Sequence, residues 1–232
     1  MIDYDHRGYG GSERPRQTYS LNVWVADIAA LLEALGIERT HVHGGSMGST
    51  VALQYASQHP DRVDGLVLSG CTSKSDNMAK AHYIVWKALA RSQGMGSEAL
   101  AAELAARAVP RAFFDGPQGG PALIQALQEA VPRNVGIDVV CDACDLLTHV
   151  DVTADLPLVT APTLVMVGSE DALTPADQGR DGAGGRYIYE HLRNARFKEF
   201  VEIAGGGHAN LIDNPEISDR HLVDFLARVD AG

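Results

Sequence analysis

The sequence predicts an α/β fold, a mostly parallel sheet flanked by helices, with an all-helical block inserted between two of its strands. Three observations predict it. Strand-like runs at residues 40–43, 63–70, 161–171 and 197–208 alternate with segments of helical period, the pattern of parallel strands joined by helical crossovers. Residues 75–150 are rich in alanine and contain no convincing strand. At the junction of the 40–43 run and the helical segment after it lies a serine, Ser46, set among the glycines of Gly44-Gly45-Ser46-Met47-Gly48. The expected organisation is a core of residues 1–74 and 151–232, with residues 75–150 as a helical cap.

Taken in order, Ile2–Tyr4 reads as the tail of a strand, and the glycine-rich DHRGYGGSERP after it as a loop. Ser20 is an N-cap candidate. Val25, Ile28, Leu32 and Leu35 then fall on one helical face, and Gly36 is placed to end the helix. Thr40–His43 is a short strand, Ser49–Gln58 a helix stopped by Pro60, and Val63–Gly70 a buried strand. The helical block breaks around Gly94-Met95-Gly96, Pro110, Asp115–Pro121 and Pro132-Arg133-Asn134. Beyond it come the strands of Ala161–Asp171 and Phe197–His208, and SDRHLVDFLARV closes the chain as an amphipathic helix.

Bulk properties exclude several classes. A formal charge of −11 argues against general nucleic-acid binding, which needs a basic face. No apolar run is long enough to span a bilayer. The opening MIDYDHRG has no apolar core of a signal peptide, so a cytoplasmic location is expected. The three cysteines, Cys71, Cys141 and Cys144, form no disulfide framework. Cys141-Asp-Ala-Cys144 is formally a C-x-x-C but sits in a helical-looking stretch, away from a strand-to-helix turn. No cofactor or metal is expected; the expected partner is a small-molecule substrate.

The chemistry centres on the glycine-flanked serine. G-x-S-x-G at a strand-to-helix junction is the nucleophile elbow: a sharp turn exposes the serine, and the residues two positions either side approach so closely that neither is expected to tolerate a side chain. The N–H of Met47 would face an oxyanion, aided by the dipole of the following helix. A serine hydroxyl needs an adjacent base. Asp171 follows the PTLVMVG strand directly, at the carboxyl edge of the sheet where sites form in open α/β folds, with Glu170 as the competing acid. His208 follows three glycines after the last strand, a setting that the other eight histidines lack. Ser46, Asp171 and His208 occur in the chain order serine, acid, histidine that this architecture uses. In the cap, Trp86, Tyr83, Phe113 and Phe114 suggest an apolar substrate pocket.

These motifs resemble the α/β hydrolases. YDHRGYGGS is similar to that family's D-x-R-G-x-G-x-S loop, HPDRVDGLVL to its H-P-x-R-V stretch, and GSEDALTP and GGGHANL to its acid and histidine loops. The likeness covers Ile2 to about Thr72 and about Leu158 to Phe225. The segment GGSMGSTVALQYASQHPDRV is similar to the proline iminopeptidase/esterase branch. That branch implies aminopeptidase activity, but its cap tryptophan–glutamate pair is absent: Lys87 follows Trp86. The resemblance implies an α/β-hydrolase-like sheet truncated at the N-terminus. Three family strands precede YDHRG, and the third of them lies beside the elbow strand and carries the loop of the second oxyanion donor. Three arrangements are therefore expected to compete: a truncated chain, a partner chain or second copy filling the gap, or movement of Ile2–Tyr4 into it. In the last case the N–H of His6 or Arg7 would become the second donor. The expected activity is cleavage of a carboxylic ester, lactone or related acyl bond. The alternatives are an iminopeptidase-like aminopeptidase and a non-catalytic binding protein or inactive fragment.

Overall fold

A computed structural model describes residues 1–232. Helix α1 (Leu21–Ala34) starts at Ser20, whose side chain accepts the amide of Val23, and ends before Gly36 at φ +68°. It is followed by β1 (Thr40–Gly45), α2 (Met47–Gln58), β2 (Val63–Ser69) and a short β3 (Thr72–Lys74). Five helices come next: α3 (Asn77–Gln93), α4 (Glu98–Ala108), α5 (Arg111–Phe114), α6 (Gly120–Asn134) and α7 (Ile137–His149). Helix α6 runs through Pro132 and stops two residues later, so the expected break falls at its end. The rest comprises β4 (Thr163–Gly168), β5 (Ala183–Gly184), α8 (Gly185–His191), β6 (Lys198–Ile203), α9 (Asn210–Asp213) and α10 (Pro215–Ala231).

The main sheet is fully parallel in the order β1-β2-β4-β6; β3 and β5 form a separate antiparallel pair. All six residues of β4 are buried, as expected for a parallel strand covered on both faces. Side chains alternate between those faces. Leu66, Leu68, Val165 and Val167 pack with residues of α1, α2 and α8, whereas Val67, Leu164 and Met166 pack with Phe225 of α10. The α1 face is anchored by Trp24, fully buried, whose indole N–H donates to the Arg7 carbonyl at 2.9 Å. Leu35, expected on the buried face of α1, is its C-cap and is exposed: the chain turns away at Gly36 before that position can face the core.

Helices α3–α7 leave the sheet region after β3 and return before β4. The base of the excursion is closed by the Val152 amide donating to the Ser73 carbonyl at 2.8 Å and by a Lys74–Asp151 ion pair at 3.1 Å. Strand β1 is an edge of the sheet. Here the expectation for Ile2–Tyr4 is corrected. These residues form no strand and no ladder with β1. A strand persists only when its amides and carbonyls find a ladder partner. This segment instead approaches β1 across a cavity that Met1, Ile2, Asp3 and Tyr4 help to line.

Candidate active site

Strand β1 delivers the chain to Ser46, the one non-glycine residue with positive φ (φ +52°, ψ −125°). Such a conformation costs on the order of 1–3 kcal/mol and persists only when its surroundings fix it. The fixing contacts are the Ser46 amide on the Ser69 carbonyl at 2.9 Å, and the Ser49 amide and hydroxyl on the Ser46 carbonyl at 2.9 and 2.6 Å. Gly44 is required, since a Cβ there would lie 2.2 Å from the Gly48 carbonyl oxygen. The matching expectation for Gly48 is corrected: the only atom near its Cβ position is Nε2 of His6 at 3.7 Å, which is ordinary contact. Helix α2 begins at Met47, earlier than the Ser49 start read from the sequence. The Met47 amide, at the first helical position, has no intrahelical acceptor.

Asp171 lies in the turn after β4, its side chain fully buried. Its Oδ1 accepts the amides of Leu173 and Thr174 at 2.9 and 2.8 Å. Its Oδ2 accepts the Thr174 hydroxyl at 3.0 Å and lies 3.0 Å from His208 Nδ1. Burial alone would raise the carboxyl pKa. The His208 ring and the two amides outweigh burial and hold it below the ordinary aspartate value. Glu170 is exposed and joins the site only through its amide, which donates to the Gly206 carbonyl.

His208 completes the chain of contacts, with Nε2 2.8 Å from Ser46 Oγ. An ionised Asp171 accepts a hydrogen bond from Nδ1–H, which leaves Nε2 as the acceptor facing the serine hydroxyl. The loop carrying the ring is tied down by Asp213, whose Oδ2 accepts the Gly207 amide at 3.0 Å. Space for the ring comes from Gly70 (φ +53°), where a Cβ would lie 2.9 Å from the His208 carbonyl oxygen and 3.0 Å from Nδ1.

A cavity of about 1250 Å³ opens over Ser46, and 24 of its 33 lining residues are hydrophobic. This exceeds the usual size of a small-ligand pocket because the space over the elbow continues along the open edge of β1. Trp86 lines it together with Met47, Cys144 and Leu147. The other three cap aromatics do not: Tyr83 is buried against Ala79, Cys144, Leu147 and Leu173, and Phe113 and Phe114 sit half-buried on α5. Cys141 and Cys144 are buried, free thiols on α7, and burial pushes the Cys144 thiol up to about 12. No cluster of His, Cys, Asp and Glu is arranged to hold a metal ion, and no helix is long and apolar enough to cross a membrane. Of the two expected second donors, Arg7 is not among the residues lining the cavity over Ser46; its guanidinium pairs with Asp27 and its carbonyl accepts from Trp24. His6 reaches the elbow with its ring. Thr174, Asp213 and Gly70 contact Asp171, His208 or the loop that carries His208, and sequence reasoning misses them. The available signal for Thr174 is its place three residues after Asp171, since it repeats the common Asp side-chain-to-backbone turn.

Comparison with known proteins agrees with this fold. Residues 2–112 match the family model for the alpha/beta hydrolase fold. A relative from Caulobacter sp. (strain K31), named "Putative carbamate hydrolase RutD", is 31% identical over 98% of this chain and 80% of its own length. The 3-oxoadipate enol-lactonase 2 of Acinetobacter baylyi is 26% identical over 98% of this chain and 78% of its own. The crystal structure of MGS-M2, an alpha/beta hydrolase enzyme from a Medee basin deep-sea metagenome library, superposes with a TM-score of 0.82 at 26% identity, covering 97% of this chain and 78% of the other. These relatives carry the names of a carbamate hydrolase and an enol-lactonase, not of a proline iminopeptidase. The chain belongs to the α/β hydrolase fold family and is a hydrolase.

Proposed function

We propose that this hydrolase cleaves a carboxylic ester, lactone or similar acyl bond through an acyl-enzyme on Ser46. The observation that carries the reading is the unbroken run of contacts from Ser46 Oγ to His208 Nε2 (2.8 Å) and from His208 Nδ1 to Asp171 Oδ2 (3.0 Å). His208 accepts the hydroxyl proton as Ser46 Oγ attacks the carbonyl carbon. Asp171 holds the imidazole tautomer and stabilises the imidazolium. The Met47 amide donates to the tetrahedral oxyanion. His208 then protonates the leaving alkoxide, and the acyl group stays on Ser46. In the second half His208 takes a proton from water, the water oxygen attacks the acyl carbon, and Ser46 Oγ leaves with the proton.

Helices α3–α7 act in this reading as a cap that selects the substrate, with Trp86 the cap aromatic that lines the cavity. The apolar lining favours an uncharged acyl or alcohol group. The enol-lactonase relative supports including lactones in the substrate class, and the carbamate hydrolase relative supports testing carbamates beside them.

Reaction with a fluorophosphonate, read by intact mass, tests the nucleophile. The wild type is expected to gain one phosphonyl group and the Ser46→Ala variant none. Folded wild-type protein that stays unlabelled contradicts the reading. A panel of short-chain p-nitrophenyl esters, lactones, carbamates and N-terminal prolyl amides then sorts the substrate class. Turnover of prolyl amides alone contradicts the ester and lactone assignment.

A further inference from the structure

We infer that the corner between helices α4 and α5, Ala108–Pro110, positions the catalytic base. It holds Gly207 and Ala209, the residues on either side of His208, and so sets where the ring meets Ser46. The inference deepens the proposed function and rests on Ser46 being the nucleophile that His208 serves.

The loop that carries the ring is held from two sides. Before His208 its amides find partners around the sheet end and α9. The Gly205 amide donates to Ser169 Oγ at 2.8 Å, the Gly206 amide to the Ile203 carbonyl at 3.0 Å and the Gly207 amide to Asp213 Oδ2 at 3.0 Å. Beyond His208 the partner changes. The Ala209 amide donates at 2.7 Å to the carbonyl of Ala108, the last residue of α4. A helix leaves its final carbonyls without intrahelical donors, so α4 ends with an acceptor free for this bond. The Ala209 carbonyl in turn accepts the amides of Ile212 and Asp213 at 2.7 and 3.0 Å, which brings the Asp213 carboxylate back to Gly207.

The same corner closes on Gly207. A Cβ there would lie 2.7 Å from Pro110 Cδ and 2.8 Å from both Pro110 N and Asp213 Oδ2. Gly207 is therefore wedged between the proline ring and the carboxylate, with no room for a side chain, and both Gly207 and Pro110 are buried. Proline has a fixed φ, −72° here, and no amide hydrogen. It presents a stiff apolar surface to the loop and leaves no buried donor to satisfy.

Helix α4 is itself fixed. Its Leu100, Ala101 and Ala105 are buried. Its Glu103 carboxylate lies 3.0 Å from Nδ1 of His82 on α3 and accepts Arg107 Nε–H at 3.2 Å. The ring, by contrast, follows three glycines, whose backbone is the least restricted by sterics, so the hold beyond it limits how far it can swing. Nε2 has to stay within hydrogen-bond reach of Ser46 Oγ, now 2.8 Å away, to take the proton. Misplacing a reacting group by about 1 Å can cost about 100-fold in rate. A displacement of α4 thus takes His208 out of line without touching Ser46 or Asp171.

The test compares wild type, Ala209→Pro, Ala209→Ser and Pro110→Ala in hydrolysis of a p-nitrophenyl ester, with circular dichroism melts to show that each variant is folded. Ala209→Pro removes the amide hydrogen at a residue whose φ of −90° lies near the value proline takes; Ala209→Ser keeps it. Ala209→Pro is expected to lower kcat about tenfold or more with KM within a few-fold, and to slow fluorophosphonate labelling of Ser46 by a similar factor. Ala209→Ser is expected to recover at least about fivefold of that loss. Pro110→Ala, which removes the ring atoms at Gly207, is expected to lower kcat about threefold or more with KM little changed. The His208 Nδ1–H, bonded to Asp171, is expected as a far-downfield proton resonance in the wild type that weakens or broadens in Ala209→Pro and Pro110→Ala. A kcat within about twofold of wild type for folded Ala209→Pro and Pro110→Ala, or a serine variant no better than the proline one, overturns the positioning role. Should Ala209→Pro fail to fold, Pro110→Ala decides by its kcat and its downfield resonance. Labelling of wild-type Ser46 with a kcat indifferent to both changes rejects this inference alone, and absence of labelling rejects the nucleophile on which it rests.

Discussion

Replacing Asp171 with asparagine perturbs the site with almost no change of volume, and the surrounding contacts dictate the consequence. The amide oxygen can keep the amides of Leu173 and Thr174, now at 2.9 and 2.8 Å from Oδ1. The other terminal atom becomes an NH2 group facing His208 Nδ1 and the Thr174 hydroxyl, both 3.0 Å from the present Oδ2. Two donors cannot face each other there, so the imidazole presents its lone pair at Nδ1 and carries its proton at Nε2. That proton then points at Ser46 Oγ, 2.8 Å away, and the ring cannot take the serine's proton. In serine triads, losing the correct tautomer costs about 10⁴ in kcat, or about 5 kcal/mol of barrier. The assay is steady-state hydrolysis of a saturating p-nitrophenyl ester, with a circular dichroism melt to show that the fold persists. The expected result is a kcat lowered about 10⁴-fold and a KM within a few-fold of wild type. A folded variant whose kcat stays within about tenfold of wild type would refute the reasoning.

The same geometry sets three further outcomes. Thr174→Val removes a hydroxyl that donates to the buried Asp171 carboxylate; hydrogen bonds to charged groups are worth about 1.5–3 kcal/mol, so kcat is expected to drop roughly tenfold or more while the melt shifts by a few degrees. Gly44→Ala drives a methyl group to 2.2 Å from the Gly48 carbonyl oxygen, whereas Gly48→Ala meets only His6 Nε2 at 3.7 Å. Scanning calorimetry should therefore show the first destabilised by at least about 1–3 kcal/mol and the second the milder of the two; equal melting temperatures would contradict the elbow packing. Because the Asp171 pKa is held below its unfolded value, its ionisation stabilises the fold above the unfolded pKa. That contribution is lost as pH falls through the lower folded value. Denaturant titrations should show the stability difference between wild type and Asp171→Asn shrinking as pH drops from about 5 towards 3, and a difference that grows would contradict a lowered pKa in the folded state.

The parts legible in the sequence are those that local chemistry dictates. The elbow can be read because a serine forced to φ +52° leaves a glycine signature at Gly44. The α1 cap and stop can be read because Ser20 and Gly36 act on their own helix termini. Asp171 and His208 each end a recognisable strand, so their meeting follows from the parallel order of the sheet. Features decided by long-range packing are not legible. Gly70 makes room for a ring 138 positions away in sequence (208 − 70), and Asp213 fixes the loop that carries that ring from its far side. Tyr83 and Trp86 are three residues apart on one helix, and only the packing of α3 on α7 decides that Trp86 faces the cavity while Tyr83 fills the space beneath. Ile2–Tyr4 has strand-like composition but no ladder partner, and composition cannot supply one. From sequence His6 reads as a backbone donor at the end of that strand; without the strand, its ring is what reaches the elbow.

The central claim is that Ser46 carries the acyl group during turnover. The most direct measurement is acid quenching of the enzyme during hydrolysis of p-nitrophenyl acetate, followed by intact-mass and peptide-mass analysis. An acyl-enzyme on Ser46 predicts a fraction of enzyme heavier by one acetyl group, with that mass on the peptide containing Ser46, and its disappearance in Ser46→Ala. Turnover at an undiminished rate by Ser46→Ala, or an acetyl group confined to another residue, would contradict it.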